Sequence, residues 1–136
     1  MLNHKKYKTL IIISERDPVL IRVCKYKFNK NKGWHSHITP SYSLAWKKIK
    51  KEKPQIILSG IILEGGDGFK LIKKIRRSKD KDISKTPIII LTELRQNSDR
   101  ERALDLGATE YFVKSEVSIN TIIEKIKELT KKHHLK

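Results

Sequence analysis

Several features that define particular protein classes are scarce or missing in this sequence of 136 residues. A single cysteine, Cys24, excludes an internal disulfide and is typical of a reducing compartment such as the cytoplasm. No apolar run approaches the roughly 20 residues that span a membrane. The first residues, MLNHKKYKTLIII, lead into charged residues without the cleavage site of a signal peptide. We therefore expect a cytoplasmic protein with no membrane span.

Acidic residues are also scarce, since 15 Asp and Glu oppose 31 Lys and Arg and give a formal net charge of +16 at pH 7. Residues 1–91 carry 22 basic and 7 acidic side chains, a balance of +15, whereas residues 92–136 carry 9 and 8. This polarised charge raises nucleic acid or another anionic surface as a partner. A lysine-rich composition without functional meaning explains the charge equally well.

The sequence does contain an alternation of short apolar runs with amphipathic segments. The apolar runs predict five strands, at residues 8–13, 34–39, 56–58, 87–91 and 111–113. Helical spacing predicts five helices, at residues 18–28, 42–52, 68–77, 98–106 and 119–129. This alternation predicts one α/β domain over residues 1–136, with a core at about 8–130, basic tails at both ends, and a parallel sheet covered on both faces. His133 and His134 are expected in the C-terminal tail.

The stretch from Gln55 to Arg77 organises the rest of the chain. A buried strand ends at Ser59 and Gly60, a glycine-rich loop follows, and a helix begins near Gly68. In doubly wound sheets, function collects at the carboxyl ends of the strands. The residue that closes this strand should therefore carry the chemistry, yet Gly60 has no side chain.

Four segments in this order and spacing resemble the receiver domain of bacterial two-component response regulators, over roughly residues 8–130. They are the turn Glu15-Arg16-Asp17-Pro18, the segment Asp67-Gly68-Phe69 at the start of the third helix, Leu91-Thr92 at the end of the fourth strand, and Gly107-Ala108 before Tyr111 and Lys114. The resemblance implies a flavodoxin-like (βα)5 sheet with strand order 2-1-3-4-5.

Receiver domains take a phosphoryl group on an aspartate after strand three, assisted by Mg²⁺ on acids after strand one and by a lysine after strand five. The resemblance places Gly60 at the phosphoacceptor position and Arg16 at the second acidic position, while Glu15 and Lys114 remain. These four positions sum to +1, where the usual set is net negative. Two cations about 4 Å apart repel by about 4 kcal/mol at an effective dielectric near 20. We therefore expect no Mg²⁺ site, no other cofactor and no aspartyl phosphorylation.

No nearby side chain is expected to replace the missing carboxylate. Ser59 should turn to the opposite face of the strand, Glu64 lies beyond the strand, and Asp67 is expected to cap the third helix.

The remaining pocket residues have structural or switching interpretations. Lys114 is expected to pair with Glu15, and Arg16 lies either in the pocket or in solvent. By resemblance, Thr92 and Tyr111 match the hydroxyl and the aromatic ring that respond to phosphorylation. One interpretation is structural: the Thr92 hydroxyl satisfies a loop backbone group, and Tyr111 is a half-buried ring. The other is that the domain is held permanently in one switch state.

Two further departures concern the fifth strand and the edge of the sheet. The family usually has a proline after the lysine, often with a cis bond, whereas a cis bond to a residue such as Ser115 costs about 2.5–4 kcal/mol. We therefore expect a trans Lys114–Ser115 bond. His35 and His37 share one face of the second strand, but two ligands make only a weak metal site, so exposed histidines are expected.

Two surfaces are candidates for partner binding. The second and third helices are expected to present a continuous basic surface suited to weakly specific nucleic-acid binding. It comprises Lys47, Lys48, Lys50, Lys51, Lys53, Lys70, Lys73, Lys74, Arg76 and Arg77. The fourth helix, fifth strand and fifth helix mix both charge signs, which suits protein contact. In receivers this face forms dimers or binds partners.

The sequence predicts a stand-alone, degenerate receiver domain, or pseudo-receiver, that is not an enzyme. We expect it to act in bacterial signal transduction by phosphorylation-independent protein interaction, as a monomer or a homodimer. The alternative is a basic module on the same fold that binds nucleic acid or an anionic surface. An ordinary phosphorelay receiver that uses another acid is a third interpretation.

Overall fold

A computed structural model describes residues 9–134, with side chains to residue 131; the basic segment before residue 9 and residues 135–136 lie outside the described residues. Five strands alternate with five longer helices. They are β1 (Thr9–Ser14), α1 (Pro18–Phe28), β2 (Trp34–Ile38), α2 (Tyr42–Glu52), β3 (Ile56–Ser59), α3 (Gly68–Arg76), β4 (Ile88–Thr92), α4 (Asn97–Leu106), β5 (Glu110–Val113) and α5 (Ile119–His134).

The five strands form one parallel sheet in the order β2-β1-β3-β4-β5. The predicted flavodoxin-like order 2-1-3-4-5 is therefore confirmed. The chain leaves β1 towards β2 and returns to pair β3 with the other edge of β1, so the strand order reverses between β1 and β3. Crevices at such reversals are the usual binding sites of doubly wound folds.

The sheet is apolar on both faces because each face packs against its own layer of helices. Ile57 belongs to the core cluster under α2, α3 and α4, whereas Ile56 and Leu58 belong to the cluster under α1 and α5. Alternation along the strand sends neighbouring side chains to opposite faces. Cys24 lies in the second cluster, and burial raises the pKa of its thiol to about 12. It acts as a small apolar residue, as predicted.

The segment between β3 and α3 is more ordered than the predicted glycine-rich loop. Ile62–Leu63 and Gly66–Asp67 form a two-stranded antiparallel ribbon, with a turn at Gly65 whose φ is +76°. The Gly68 amide donates to the carbonyl oxygen of Ile61 at 2.7 Å. A Cβ at Gly68 would collide with the carbonyl oxygen of Gly60, so only glycine allows α3 to begin this close to the end of β3.

The last helix is longer than predicted. It continues to His134 instead of ending at Leu129, so the tail expected from residue 131 is helical as far as His134. Basic residues near a helix C-terminus interact favourably with the exposed carbonyl groups. The Thr130 hydroxyl donates to the carbonyl oxygen of Ile126 at 2.7 Å inside this helix. No helix among the described residues is long and apolar enough to cross a membrane.

Candidate functional site at the ends of β1, β3 and β5

The turn after β1 presents two carboxylates that are held by backbone amides. Glu15 is only 5% exposed, and its Oε2 accepts hydrogen bonds from the amides of Arg16 at 3.1 Å and Asp17 at 3.0 Å. Asp17 caps α1, with its Oδ1 accepting from the amides of Val19 at 3.0 Å and Leu20 at 3.3 Å. The start of α1 therefore fixes both acids at the carboxyl end of the sheet.

A lysine that follows the edge strand β5 pairs with these two acids. Lys114 follows β5 and begins a short 3₁₀ helix over Lys114–Glu116. Its Nζ lies 3.2 Å from Glu15 Oε2 and 3.4 Å from Asp17 Oδ2. Burial would raise the pKa of the Asp17 carboxyl, but its bond from the Leu20 amide and the Lys114 ammonium together lower that pKa. The expected Lys114–Glu15 pair is present; we name Glu15, Asp17 and Lys114 the acid–lysine cluster.

Glycine at position 60 makes room for the Glu15 carboxylate. A Cβ placed on Gly60 would lie 2.8 Å from Glu15 Oε1, closer than real Cβ contacts. The Gly60 amide donates to the carbonyl oxygen of Ser14 at 2.9 Å, which keeps β3 close to the end of β1. The space where a side chain of residue 60 would begin therefore holds a carboxylate that comes from the turn after β1.

The charge assigned to the pocket from sequence was wrong. Arg16 is exposed and forms no ion pair with any described residue, so it lies in solvent. Asp17, the next residue of the turn, enters the cluster in its place. The balance is therefore −1, from two carboxylates and one ammonium, instead of +1. Asp17 can serve both roles because its Oδ1 accepts from the helix amides while its Oδ2 accepts from Lys114.

Most carboxylate oxygens of this cluster already accept hydrogen bonds from the protein. Mg²⁺ requires several hard oxygen ligands in a near-octahedral array. Glu15 Oε2 already accepts from two amides and an ammonium, and both Asp17 oxygens also accept bonds. Only Glu15 Oε1 has no donor among the side chains and amides that the structure describes. No group of three potential metal ligands is found among the described residues.

Thr92 and Tyr111 bind the loop after β4. The Thr92 hydroxyl accepts from the Leu94 amide at 3.2 Å, and the Tyr111 hydroxyl donates to the Leu94 carbonyl oxygen at 2.8 Å. Tyr111 is 2% exposed, so the half-buried ring expected from sequence was wrong. Burial raises its pKa, and Arg100 stacks 5.0 Å from its centroid. Neither hydroxyl bonds to the acid–lysine cluster in the described part of the chain.

The three side chains rejected as substitutes for an acceptor have other contacts. The Ser59 hydroxyl donates to the Gly60 carbonyl oxygen at 2.8 Å, and Glu64 is exposed. Asp67 caps α3 by accepting from the Lys70 amide at 2.8 Å, as predicted. The Lys114–Ser115 bond is trans, as are all the described peptide bonds.

Arg76 was wrongly assigned to the basic surface. Its Nε donates to the Gly107 carbonyl oxygen at 2.9 Å, and its Nη1 donates to those of Ser84 at 2.8 Å and Thr86 at 2.7 Å. Burial of the guanidinium lowers the pKa of Arg76. The last turn of α3 faces the short helix Lys81–Ser84 and the end of α4, where these carbonyls converge. Arg76 therefore joins three segments of the fold.

The face made by α4, β5 and α5 carries charges that largely neutralise one another. Arg95 lies 3.5 Å from Glu116, and Lys125 lies 3.3 Å from Glu110. The exposed Arg95–Glu116 pair contributes little to stability. Leu104 is 41% exposed on α4. The face is therefore near neutral and includes one exposed apolar side chain, that of Leu104. This surface is compatible with the predicted protein contact.

The two edge histidines pack against each other. Their ring centroids are 4.8 Å apart, with the planes nearly perpendicular. Partial burial lowers the pKa of His37, and the nearby Lys48 lowers it further. Both side chains are half-buried, so the fully exposed histidines expected from sequence were wrong.

Comparison with known proteins extends over most of the described fold. Residues 11–127 match the family model of the response regulator receiver domain. The phosphate regulon transcriptional regulatory protein PhoB of Escherichia coli is 29% identical over 108 residues, which cover 79% of this chain and 45% of that protein. The gliding motility regulatory protein of Myxococcus xanthus is 30% identical over 86 residues, which cover 63% of this chain and 11% of that protein. The chain thus spans less than half the length of these curated relatives.

A solved structure agrees over nearly the whole chain. A two-component response regulator from Clostridium difficile superposes with a TM-score of 0.79 at 28% identity, covering 90% of this chain and 96% of that one.

Proposed function

Because this chain belongs to the response regulator receiver domain family, whose members are signalling modules, we propose that it is a degenerate receiver that signals by protein contact without phosphorylation. Receiver domains interact with signalling partners such as kinases or effectors. The observation that carries the proposal lies at position 60, where the chain has no side chain and where the Glu15 carboxylate fills the adjoining space.

Phosphoryl transfer to an aspartate needs a carboxylate oxygen that a phosphodonor can approach in line, and a metal that neutralises the charge on the transferred group. Gly60 supplies no oxygen. The nearest carboxylate, Glu15, is buried, and its Oε2 is occupied by the Lys114 ammonium and two amides. These contacts support the loss of both the acceptor and the Mg²⁺ site.

The surface of α4, β5 and α5 is our proposed contact surface for the signalling partner, with the domain either monomeric or homodimeric. Its near-neutral mixture of charges favours selective protein contact over phosphate binding. Tyr111 supports a fixed conformation of this surface, because its hydroxyl and the Arg100 guanidinium connect β5 to the loop and helix beside it.

Exposure to acetyl phosphate with Mg²⁺, followed by intact-mass measurement, tests the proposal. A receiver domain that has the acceptor aspartate serves as the positive control. We expect no phosphoryl adduct on this chain while the control gains one. A Mg²⁺-dependent adduct on Glu15, Asp17 or any other acid would restore the ordinary phosphorelay interpretation.

A further inference from the structure

The surface between α2 and α3 carries cations without acidic partners. Lys48 pairs with Glu52 at 3.8 Å, Lys53 pairs with Asp80 at 2.9 Å, and Arg76 is turned inward. The other seven residues of the predicted basic surface are exposed and form no ion pair with a described residue. They are Lys47, Lys50, Lys51, Lys70, Lys73, Lys74 and Arg77. We name these seven the uncompensated cations.

An aromatic ring lies among these cations. Trp46 on α2 is half-buried, and its ring packs partly against the core. The Nζ of Lys50, from the same helix, and the Nζ of Lys74, from α3, each lie 5.6 Å from the ring centroid. Both ammoniums are therefore within cation–π distance of a single indole.

The ring and the cations line a groove of about 420 Å³ between the two helices. Tyr42 and Trp46 form its apolar part, and Lys70, Lys73, Lys74 and Arg77 form its basic part. The groove is open to solvent, so a ligand can reach both its apolar and its basic part.

We propose that this groove binds single-stranded nucleic acid, with a base against Trp46 and phosphates on the uncompensated cations. Proteins that bind single strands combine a positive groove along the backbone with aromatic rings on which bases stack. The proposal does not rest on the proposed signalling function, since it uses the helices on a different part of the surface.

Other anionic partners fit these observations less well. A duplex keeps its bases stacked inside, so it gains no stacking contact from Trp46. An acidic protein segment would use the lysines but has no base to place against the indole that lies between two of them. A lipid surface is separated from a single strand by the vesicle measurement below.

The first experiment measures binding of a fluorescent 12-nucleotide oligothymidylate by anisotropy between 50 and 200 mM salt. For single strands, log K falls with log salt with a slope of about −0.7 per phosphate neutralised. If four phosphates are engaged, affinity should fall about 50-fold over this range. Absence of binding at 50 mM salt, or a flat salt dependence, overturns the proposal.

A second measurement isolates the base contact. In a Trp34→Phe background, Trp46 is the only tryptophan, and we expect the oligonucleotide to quench its fluorescence. An abasic strand of equal length, which keeps the phosphates, should bind about 5- to 100-fold more weakly, in proportion to a lost stacking contact. Equal affinity for the abasic strand, a duplex or polyglutamate, without quenching of Trp46, means general polyanion binding and overturns the proposal. Tighter binding to vesicles with phosphatidylglycerol than to the oligonucleotide overturns it in favour of a lipid surface.

Charge-matched variants locate the site. Lys70→Gln with Lys74→Gln should weaken oligonucleotide binding and make the salt slope less steep by about 1.4. Arg22→Gln with Lys25→Gln removes the same charge from exposed positions of α1, on the other side of the sheet. This control pair should leave Trp46 quenching and the salt slope unchanged. Equal effects of the two pairs on slope and quenching would show that net charge, and not the groove, governs binding.

Discussion

Replacing Gly60 with aspartate supplies the carboxylate that the proposed degenerate site lacks, but we expect that it does not make the site phosphorylatable. A Cβ at this position lies 2.8 Å from Glu15 Oε1, so the Glu15 carboxylate must move. Movement is resisted because its Oε2 accepts bonds from the amides of Arg16 and Asp17 and from Lys114. The substitution therefore brings a new carboxylate against a fixed one that is only 5% exposed.

The electrostatic part of this cost can be separated from the steric part. Two like charges about 4 Å apart repel by about 4 kcal/mol at an effective dielectric near 20. Asparagine has nearly the same shape without the charge, so Gly60→Asp should be less stable than Gly60→Asn by up to about 4 kcal/mol at pH 7. Repulsion raises the folded-state pKa of the carboxyl pair above its unfolded value. The difference should therefore be largest at neutral pH and shrink as pH falls towards the unfolded carboxyl pKa of about 4.

Urea unfolding followed by circular dichroism at pH 7 and pH 5 measures this difference, with Gly60→Ala as the steric control. Adding Glu15→Gln to Gly60→Asp removes one charge and should recover most of the electrostatic loss. If Gly60→Asp matches Gly60→Asn in stability at pH 7, or accepts a phosphoryl group from acetyl phosphate with Mg²⁺, the reasoning from the filled pocket is refuted.

Three further predictions follow from individual contacts. Lys114→Met leaves the Glu15 carboxylate buried without its cation and should lower the free energy of unfolding by about 3 kcal/mol. The loss should be much smaller when Glu15→Gln is also present. Urea unfolding measures the loss in both backgrounds, and equal losses would contradict this prediction. Arg76→Met removes three hydrogen bonds to backbone carbonyls and should lower the free energy of unfolding by about 2–3 kcal/mol. The control Arg77→Met, at the exposed neighbouring residue, should change it by less than about 0.5 kcal/mol. Similar effects at both positions would contradict the role of Arg76 in joining three segments of the fold. Because the pKa of Asp17 is lowered in the fold, its stabilising contribution is present above its unfolded pKa of about 3.9 and is lost as pH falls through the folded value. The difference in stability between the wild type and Asp17→Asn should therefore shrink as the pH falls below about 3.9; a difference that stays constant as the pH is lowered would contradict the lowered pKa.

Strand identity and order were predictable because apolar runs such as residues 56–58 and 88–91 are long enough to be buried on both faces and occur at spacings that alternate with amphipathic helices. The place of Gly60 at the end of β3 was predictable as well, since the apolar run of residues 56–58 ends directly before Ser59 and Gly60. These features depend on local sequence and on the order of the elements, and both are visible in the amino-acid sequence.

The side chains that fill the pocket were less predictable, because the turn after β1 determines which way each of them points. Sequence spacing did not show that Arg16 points outward and that Asp17 returns to Lys114, 97 residues away. Arg76 presents the same problem, since its helical position beside Arg77 suggests exposure, while its acceptors come from residues 8, 10 and 31 positions away. Long-range acceptors of this kind leave no local signal.

The contact between Gly60 and the Glu15 carboxylate also bears on evolution. A mutation that adds a side chain at position 60 would meet an occupied site and carry a stability penalty. Tolerance of such a side chain would need at least one compensating change in the turn after β1. Selection on residue 60 is therefore coupled to selection on Glu15, although the two residues belong to different loops.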